Sequence, residues 1–179
     1  MDISLRVAVI TDVPTLQALI PESARELSKH YYSVQQIESA IRHIFGVDTQ
    51  LIADQTYYVA EAAGQIVGCG GWSKRNTMFG GDQMKTAQDP LLNPHKDAGR
   101  IRAFFVHPDW ARKGIGRRII QACEDAARDD GFARMELVAT RPGEPLYAAM
   151  GYEVTRRFEQ PMTDGTTLPL AHMKKSLAG

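Results

Sequence analysis

The clearest chemical signal in this 179-residue chain is one unbroken block, Phe104-Phe105-Val106-His107-Pro108-Asp109-Trp110-Ala111-Arg112-Lys113-Gly114-Ile115-Gly116-Arg117-Arg118. Two glycines follow an apolar run and precede an amphipathic one, so they stand where a strand turns into a helix. The first NH groups of such a helix have no intrahelical partner, and its dipole favours an anion beside them. Without Cβ atoms, Gly114 and Gly116 let a phosphate approach the main chain closely. From Arg100 to Arg118 there are six cations and one anion, Asp109, so the same spot is electropositive. Two phosphate motifs fail on residue identity. A dinucleotide fingerprint needs a small residue where Ile119 stands, and a Walker loop needs GKS or GKT, which is absent. At this level a tight turn with solvated cations remains the alternative to an anion site. No GxSxG nucleophile is present, and Cys123 falls on an apolar helical face, as a small core residue does.

The elements around that block follow from periodicity. Ile3 to Val9 alternates as a half-buried strand, and Thr11, Asp12 and Pro14 start a helix that Pro21 is expected to end or bend before a second helical stretch. Ser33 with Gln36 forms a capping box for a third, running through Ile37, Ala40, Ile41 and Ile44 to Gly46. Tyr57 to Ala63 and Gln65 to Trp72, divided by Gly64, read as a hairpin. Residues 74 to 99 show no sustained period, and a loop of that length suggests a lid over a substrate site. Ile101 to Val106 is a strand. A helix follows the glycines with Ile115, Ile119, Ala122, Cys123, Ala126 and Ala127 on one face, and Gly131 stops it. Met135 to Ala139 is a buried strand, Glu144 to Met150 a short helix, and Tyr152 to Phe158 and Leu168 to Lys174 the last strands. The order predicts an α/β fold with a mixed central sheet of about seven strands flanked by helices, in a single domain over residues 1–179.

Composition sets the outer limits. With 44% hydrophobic and 23% charged residues the chain is neither disordered nor membrane-embedded, and no run approaches the roughly 18 apolar residues of a membrane span. Twenty-one cations against twenty-one anions argue against a nucleic-acid partner. Cys69 and Cys123 form no CxxC or CxH pattern, so neither a metal site nor a disulfide framework is legible, and a reducing, cytoplasmic setting is expected. The first seventy residues carry four cations against eight anions, which hints at a cationic ligand on that half.

The block from Val106 to Ile120, together with Leu146-Tyr147-Ala148-Ala149-Met150-Gly151-Tyr152, resembles two motifs of the GNAT N-acyltransferases: the (Q/R)xxGx(G/A) turn and the YxxxG(F/Y) signature. The likeness spans essentially the whole chain, the two N-terminal helices included. It implies acetyl-CoA as acyl donor, an amine of a small molecule or protein as acceptor, and compatibility with a homodimer. It also implies that the backbone of Arg112, Lys113, Gly114, Ile115, Gly116 and Arg117 cradles a diphosphate. Phe105 and Val106, the latter at a strand bulge, would meet the pantetheine arm and the acyl group, and Tyr147 would be the general acid. Ala111 stands where relatives often have Arg or Gln, Thr140 where many have an Asn on the pantetheine, and no carboxylate lies on the strand from Ile101 to Val106.

The chemistry of the two ends is separable. A lysine-like amine leaves only about one molecule in 2500 neutral at pH 7, so a base is needed. Glu61 is the first candidate, against its reading as a solvent-facing strand residue; His107, Glu22 and Glu26 are the others. A phenol at Tyr147 can donate to a departing thiol of pKa about 8.5, or serve only as a packing residue. The alternative from another class is a non-catalytic acyl-CoA-binding or regulatory domain.

Overall fold

The structure, a computed structural model, describes residues 2–87 and 89–178. One seven-stranded sheet organises the chain, in the order β1 (Ser4–Val7), β2 (Tyr57–Ala62), β3 (Gln65–Ser73), β4 (Gly99–Val106), β5 (Arg134–Thr140), β7 (Thr167–Ser176), β6 (Glu153–Pro161). Every neighbouring pair is antiparallel except β4 with β5. The strand count and the mixed sheet agree with expectation. The β2–β3 hairpin turns through Ala63 and Gly64, both with positive φ (50° and 76°), as a two-residue turn between right-twisted strands requires.

Helices α1 (Val13–Ser28), α2 (Val34–His43) and α3 (Thr49–Ala53) pack their apolar residues into a core with Tyr57, Val59, Cys69, Leu168 and Leu170. Helix α4 (Ile115–Asp129) fills a second core, shared with α5 (Glu144–Ala149), through Ile115, Ile119, Ile120, Cys123 and Ala127. The capping box of α2 is present in both directions: the Gln36 NH donates to Ser33 Oγ at 3.1 Å, and the Ser33 NH to Gln36 Oε1 at 2.9 Å.

Three segments differ from what the sequence pattern alone gives. Pro21 does not end a helix: α1 runs through it from Val13 to Ser28. Proline withholds a donor from the carbonyl of Gln17, which lies on the exposed side of the helix, while Leu16, Leu19 and Ile20 are buried on the other. Burial of each such side chain is worth about 1.5–3 kcal/mol, which together outweighs the roughly 3 kcal/mol of a mid-helix proline. Second, α3 was not legible. It is one short turn whose Asp48 cap accepts the Gln50 NH at 3.0 Å, too brief to show a period. Third, the described part of the segment from 74 to 99 is less irregular than its lack of period implies. An Arg75–Leu91 bridge and a turn of 3-10 helix at Asp82–Met84 shape the segment, and Arg75 clamps the Asp54 carboxylate at 2.7 and 3.0 Å.

Candidate active site

Strands β4 and β5 pair only at Gly99 with Met135 and Arg100 with Glu136, then diverge towards Val106 and Thr140. The gap lies at the carboxyl ends of two parallel strands, the usual ligand position in an open α/β sheet. A cleft of about 610 Å³ occupies it, walled by α1, the turn before α4, α5 and residues Met78–Gly81. That volume suits a small-molecule site.

A bulge in β4 aims two neighbouring rings in different directions. The β3–β4 register slips between Cys69 and Gly71, leaving Ala103 and Phe104 opposite Gly70, with Ala103 at φ +55°. Phe104 then meets Tyr147 edge-on with centroids 6.1 Å apart, and Phe105 meets Phe45 at 5.7 Å. The bulge was expected at Val106 and falls two to three residues earlier. Val106 remains in register with Gly68, and its NH is not free: it donates to Ser23 Oγ of α1 at 3.2 Å.

The turn before α4 leaves its amides open. Arg112 and Gly114 both take left-handed φ (61° and 85°), which turns successive NH groups towards one side as in an anion-binding nest. Among the described residues no protein acceptor meets the amides of Arg112, Lys113, Gly114, Ile115, Gly116 or Arg117; the first bonded amide is Arg118, to the Gly114 carbonyl at 3.1 Å. Arg112, Gly114, Ile115, Gly116 and Arg117 line the cleft. Lys113 lies outside that lining, with its ammonium 5.7 Å from the centre of the Trp110 ring, and Arg118 turns back to the Ile3 carbonyl. Gly116 is required by packing as well, because a Cβ there would stand 2.5 Å from Leu146 of α5.

On the opposite wall, Tyr147 is buried between the Phe104 and Tyr152 rings and still lines the cleft. Burial pushes its phenol above the ordinary value, so it stays protonated. The Tyr152 hydroxyl behind it donates to Glu124 at 2.8 Å, and Glu124 accepts the Lys175 ammonium at 2.9 and 3.0 Å, which fixes this aromatic stack. Thr140 also lines the cleft, its hydroxyl accepting the Gly143 NH at 3.3 Å.

The candidate bases are elsewhere. Glu61 is absent from the cleft wall, because Arg6 on the adjacent strand takes its carboxylate and bridges it to Asp12. Glu22 and His107 meet each other at 3.4 Å and Glu26 pairs with Lys29, all outside the cleft lining. The negative first seventy residues do not charge the cleft either: Asp12, Glu38, Asp48, Asp54 and Glu61 are spent on Arg6, Arg25, Arg102, Arg75 and Arg6 in turn. Among the described residues the lining holds no Asp, Glu or His.

Several wall residues carried no signal in the sequence. Ser23 is one of three serines in the helices until the fold sets it against Val106. Arg102 is 2% exposed and donates to Asp48 at 2.9 Å and to the Gly80 carbonyl at 2.6 Å, while Lys85 bridges Asp48 and Asp89 at 2.7 and 2.5 Å. That buried network holds Met78–Gly81 against the cleft.

The model of the Acetyltransferase (GNAT) family matches residues 20–152, and the chain belongs to that family. It is similar to the IAA acetyltransferase of Azospirillum brasilense, 25% identical over 122 residues covering 68% of this chain and 67% of that protein. A GCN5-related N-acetyltransferase from Rhodopseudomonas palustris shares the fold with a TM-score of 0.72 at 23% identity, over 99% of this chain and 97% of the other. The PaiA N-acetyltransferase of Thermoplasma acidophilum, solved in complex with coenzyme A, does so with 0.66 at 18% identity, over 98% and 99%. No helix here is long and apolar enough to cross a membrane among the described residues.

Proposed function

We propose that the protein transfers an acetyl group from acetyl-CoA directly to an amine. The observation that carries this is the run of six amides from Arg112 to Arg117 at the mouth of the cleft, which no described residue accepts from and which itself includes three cations, Arg112, Lys113 and Arg117. A diphosphate satisfies those donors and the helix dipole together. The coenzyme A held by the Thermoplasma protein supports the same donor here.

From that anchor the donor's arm runs into the gap between β4 and β5, along Phe105, Val106 and Thr140. The thioester oxygen competes with Ser23 Oγ for the Val106 NH. As negative charge grows on that oxygen in the transition state, it becomes the stronger acceptor, and a main-chain donor of this kind contributes about 2.7–4 kcal/mol. Tyr147, kept protonated by burial, donates to the departing sulfur. No covalent enzyme intermediate is needed, since both buried cysteines lie in the cores.

Titration calorimetry with coenzyme A tests the grip, and thiol release from acetyl-CoA over an amine panel tests the transfer. Binding with turnover is the expected result. Absence of coenzyme A binding overturns the proposal, and binding without turnover on any amine leaves the non-catalytic acyl-CoA-binding reading, which the base-free cleft favours.

A further inference from the structure

The wall of the cleft between α1, the α2–α3 connection and Met78–Gly81 carries seven large side chains, Leu27, Tyr31, Ile44, Phe45, Met78, Phe79 and Phe105, beside small ones that include Ser23 and Ser28. Four of these seven are aromatic. Phe45 and Phe105 brace each other at 5.7 Å, and Phe79 leans on Phe158 at 6.3 Å, so aromatic neighbours hold these three rings where they line the cleft. The segment carrying Met78 and Phe79 is pinned by the buried Arg102–Asp48–Lys85 network, so a wall is present before any ligand arrives.

The titratable and charged groups facing this space are Tyr31 between α1 and α2, Arg102 on β4, Arg112 and Arg117 around the turn, and Tyr147 on α5. The charged ones are all cationic. Among the described residues of the lining an alkylammonium acceptor would find no carboxylate to pair with and no carboxylate or imidazole to take its proton, although aromatic faces alone would tolerate a cation. Only about one lysine-like amine in 2500 is neutral at pH 7. A nitrogen bonded directly to an aromatic ring is different: its lone pair is delocalised, and it arrives neutral.

We infer that the acceptor of this cleft is an aromatic amine, its nitrogen on the ring, bound as the free base between the Phe45, Phe79 and Phe105 rings. The inference rests on the acetyl-transfer reading and specifies its substrate class. The reaction then balances without an outside base. The ring nitrogen's lone pair forms the C–N bond to the thioester carbonyl, the C–S bond breaks, and sulfur leaves with its electron pair. Bond formation makes the nitrogen cationic and acidic; Tyr147 gives its hydroxyl proton to the departing sulfur and is reprotonated by the proton the nitrogen releases, so the net transfer is from nitrogen to sulfur. The products are the N-acetylated aromatic amine and free coenzyme A thiol.

The test follows thiol release by the full chain with acetyl-CoA and three acceptors: 4-ethylaniline, 2-phenylethylamine and cadaverine. At pH 7 the expected kcat/KM for 4-ethylaniline exceeds the other two by at least about tenfold and stays flat from pH 6.5 to 9, while that for 2-phenylethylamine climbs about tenfold per pH unit. Phe79→Ala is expected to raise KM for 4-ethylaniline by up to about tenfold, as loss of an aromatic contact does, with coenzyme A affinity by calorimetry unchanged as the check on folding. A preference for 2-phenylethylamine or cadaverine at pH 7, or an acidic limb near pH 6.5 in the 4-ethylaniline profile, overturns the substrate class and leaves acetyl transfer standing. Coenzyme A binding with no turnover on any of the three, or on a wider amine panel, overturns both.

Discussion

Asp48→Ala is the perturbation that reaches furthest into this molecule. Asp48 is 1% exposed and accepts from Arg102 at 2.9 Å, Lys85 at 2.7 Å and the Gln50 NH at 3.0 Å. Its removal leaves Lys85 with Asp89, but leaves the 2%-exposed Arg102 guanidinium with only the Gly80 carbonyl and a long contact to Thr77. Burial already pulls the Arg102 pKa below its ordinary value against the opposing pull of Asp48. Breaking a buried pair on one side costs about 3–5 kcal/mol. An unfolding entropy of about 2.1 cal/mol/K per residue gives roughly 0.38 kcal/mol/K for a 179-residue chain, so Tm falls by roughly 8–13 °C. Differential scanning calorimetry reads that shift. The double variant Asp48→Leu with Arg102→Met removes both charges and is expected to recover most of it. Because the network also holds Phe79 to the cleft, Asp48→Ala raises the acceptor KM while coenzyme A affinity holds. A single-variant Tm close to that of the parent, or a double variant no better than the single, refutes the reasoning.

Three further outcomes follow from the site and its ion pairs. Tyr147→Phe is expected to lower kcat by about 10²–10⁴ with coenzyme A affinity unchanged, and since burial raises the Tyr147 pKa the parent kcat shows no basic limb below pH 10; equal loss of turnover and affinity would reduce this residue to packing. At Gly114 a Cβ meets nothing within 4 Å, but φ is +85°, so Gly114→Val costs folding about 1–2 kcal/mol of backbone strain. Losing even one charge-assisted hydrogen bond of about 1.5–3 kcal/mol at the turn weakens coenzyme A binding by about 10- to 150-fold, and a variant that still binds as the parent does contradicts the amide cradle. Asp12 sits below the ordinary carboxylate range through its Arg6 hydrogen bonds, and Asp54 does so because Arg75 and Gln50 more than offset the upward push of burial. Depressed folded pKa values give stability that is present above about pH 4 and lost as pH falls below it; the urea midpoint should therefore drop steeply between pH 4 and 2.5, and less so in Arg75→Met.

The turn and its helix were legible because three local signals coincide there: an apolar strand, glycines without side chains, and an amphipathic period that restarts at Ile115. Tyr147 was legible by resemblance alone, since a tyrosine on a short helix has no pattern of its own. Glu61 shows the opposite case. Its strand was read correctly, but what neutralises it is Arg6, some fifty residues away, and the β1–β2 register that brings them together depends on which strands become neighbours. Pro21 misled because a local rule about one missing donor met a non-local gain from three buried side chains. Ser23 and the Arg102–Asp48 pair are products of tertiary packing and leave no periodic trace.

The two-pair seam between β4 and β5 has a thermodynamic meaning beyond making room. It divides the sheet into a four-stranded leaf and a three-stranded leaf that share almost no main-chain hydrogen bonds across their junction. Acetyl-CoA bound as proposed would stand as the missing rung between the leaves. Occupancy is then expected to slow amide exchange on both sides at once, and the empty protein to breathe along that line.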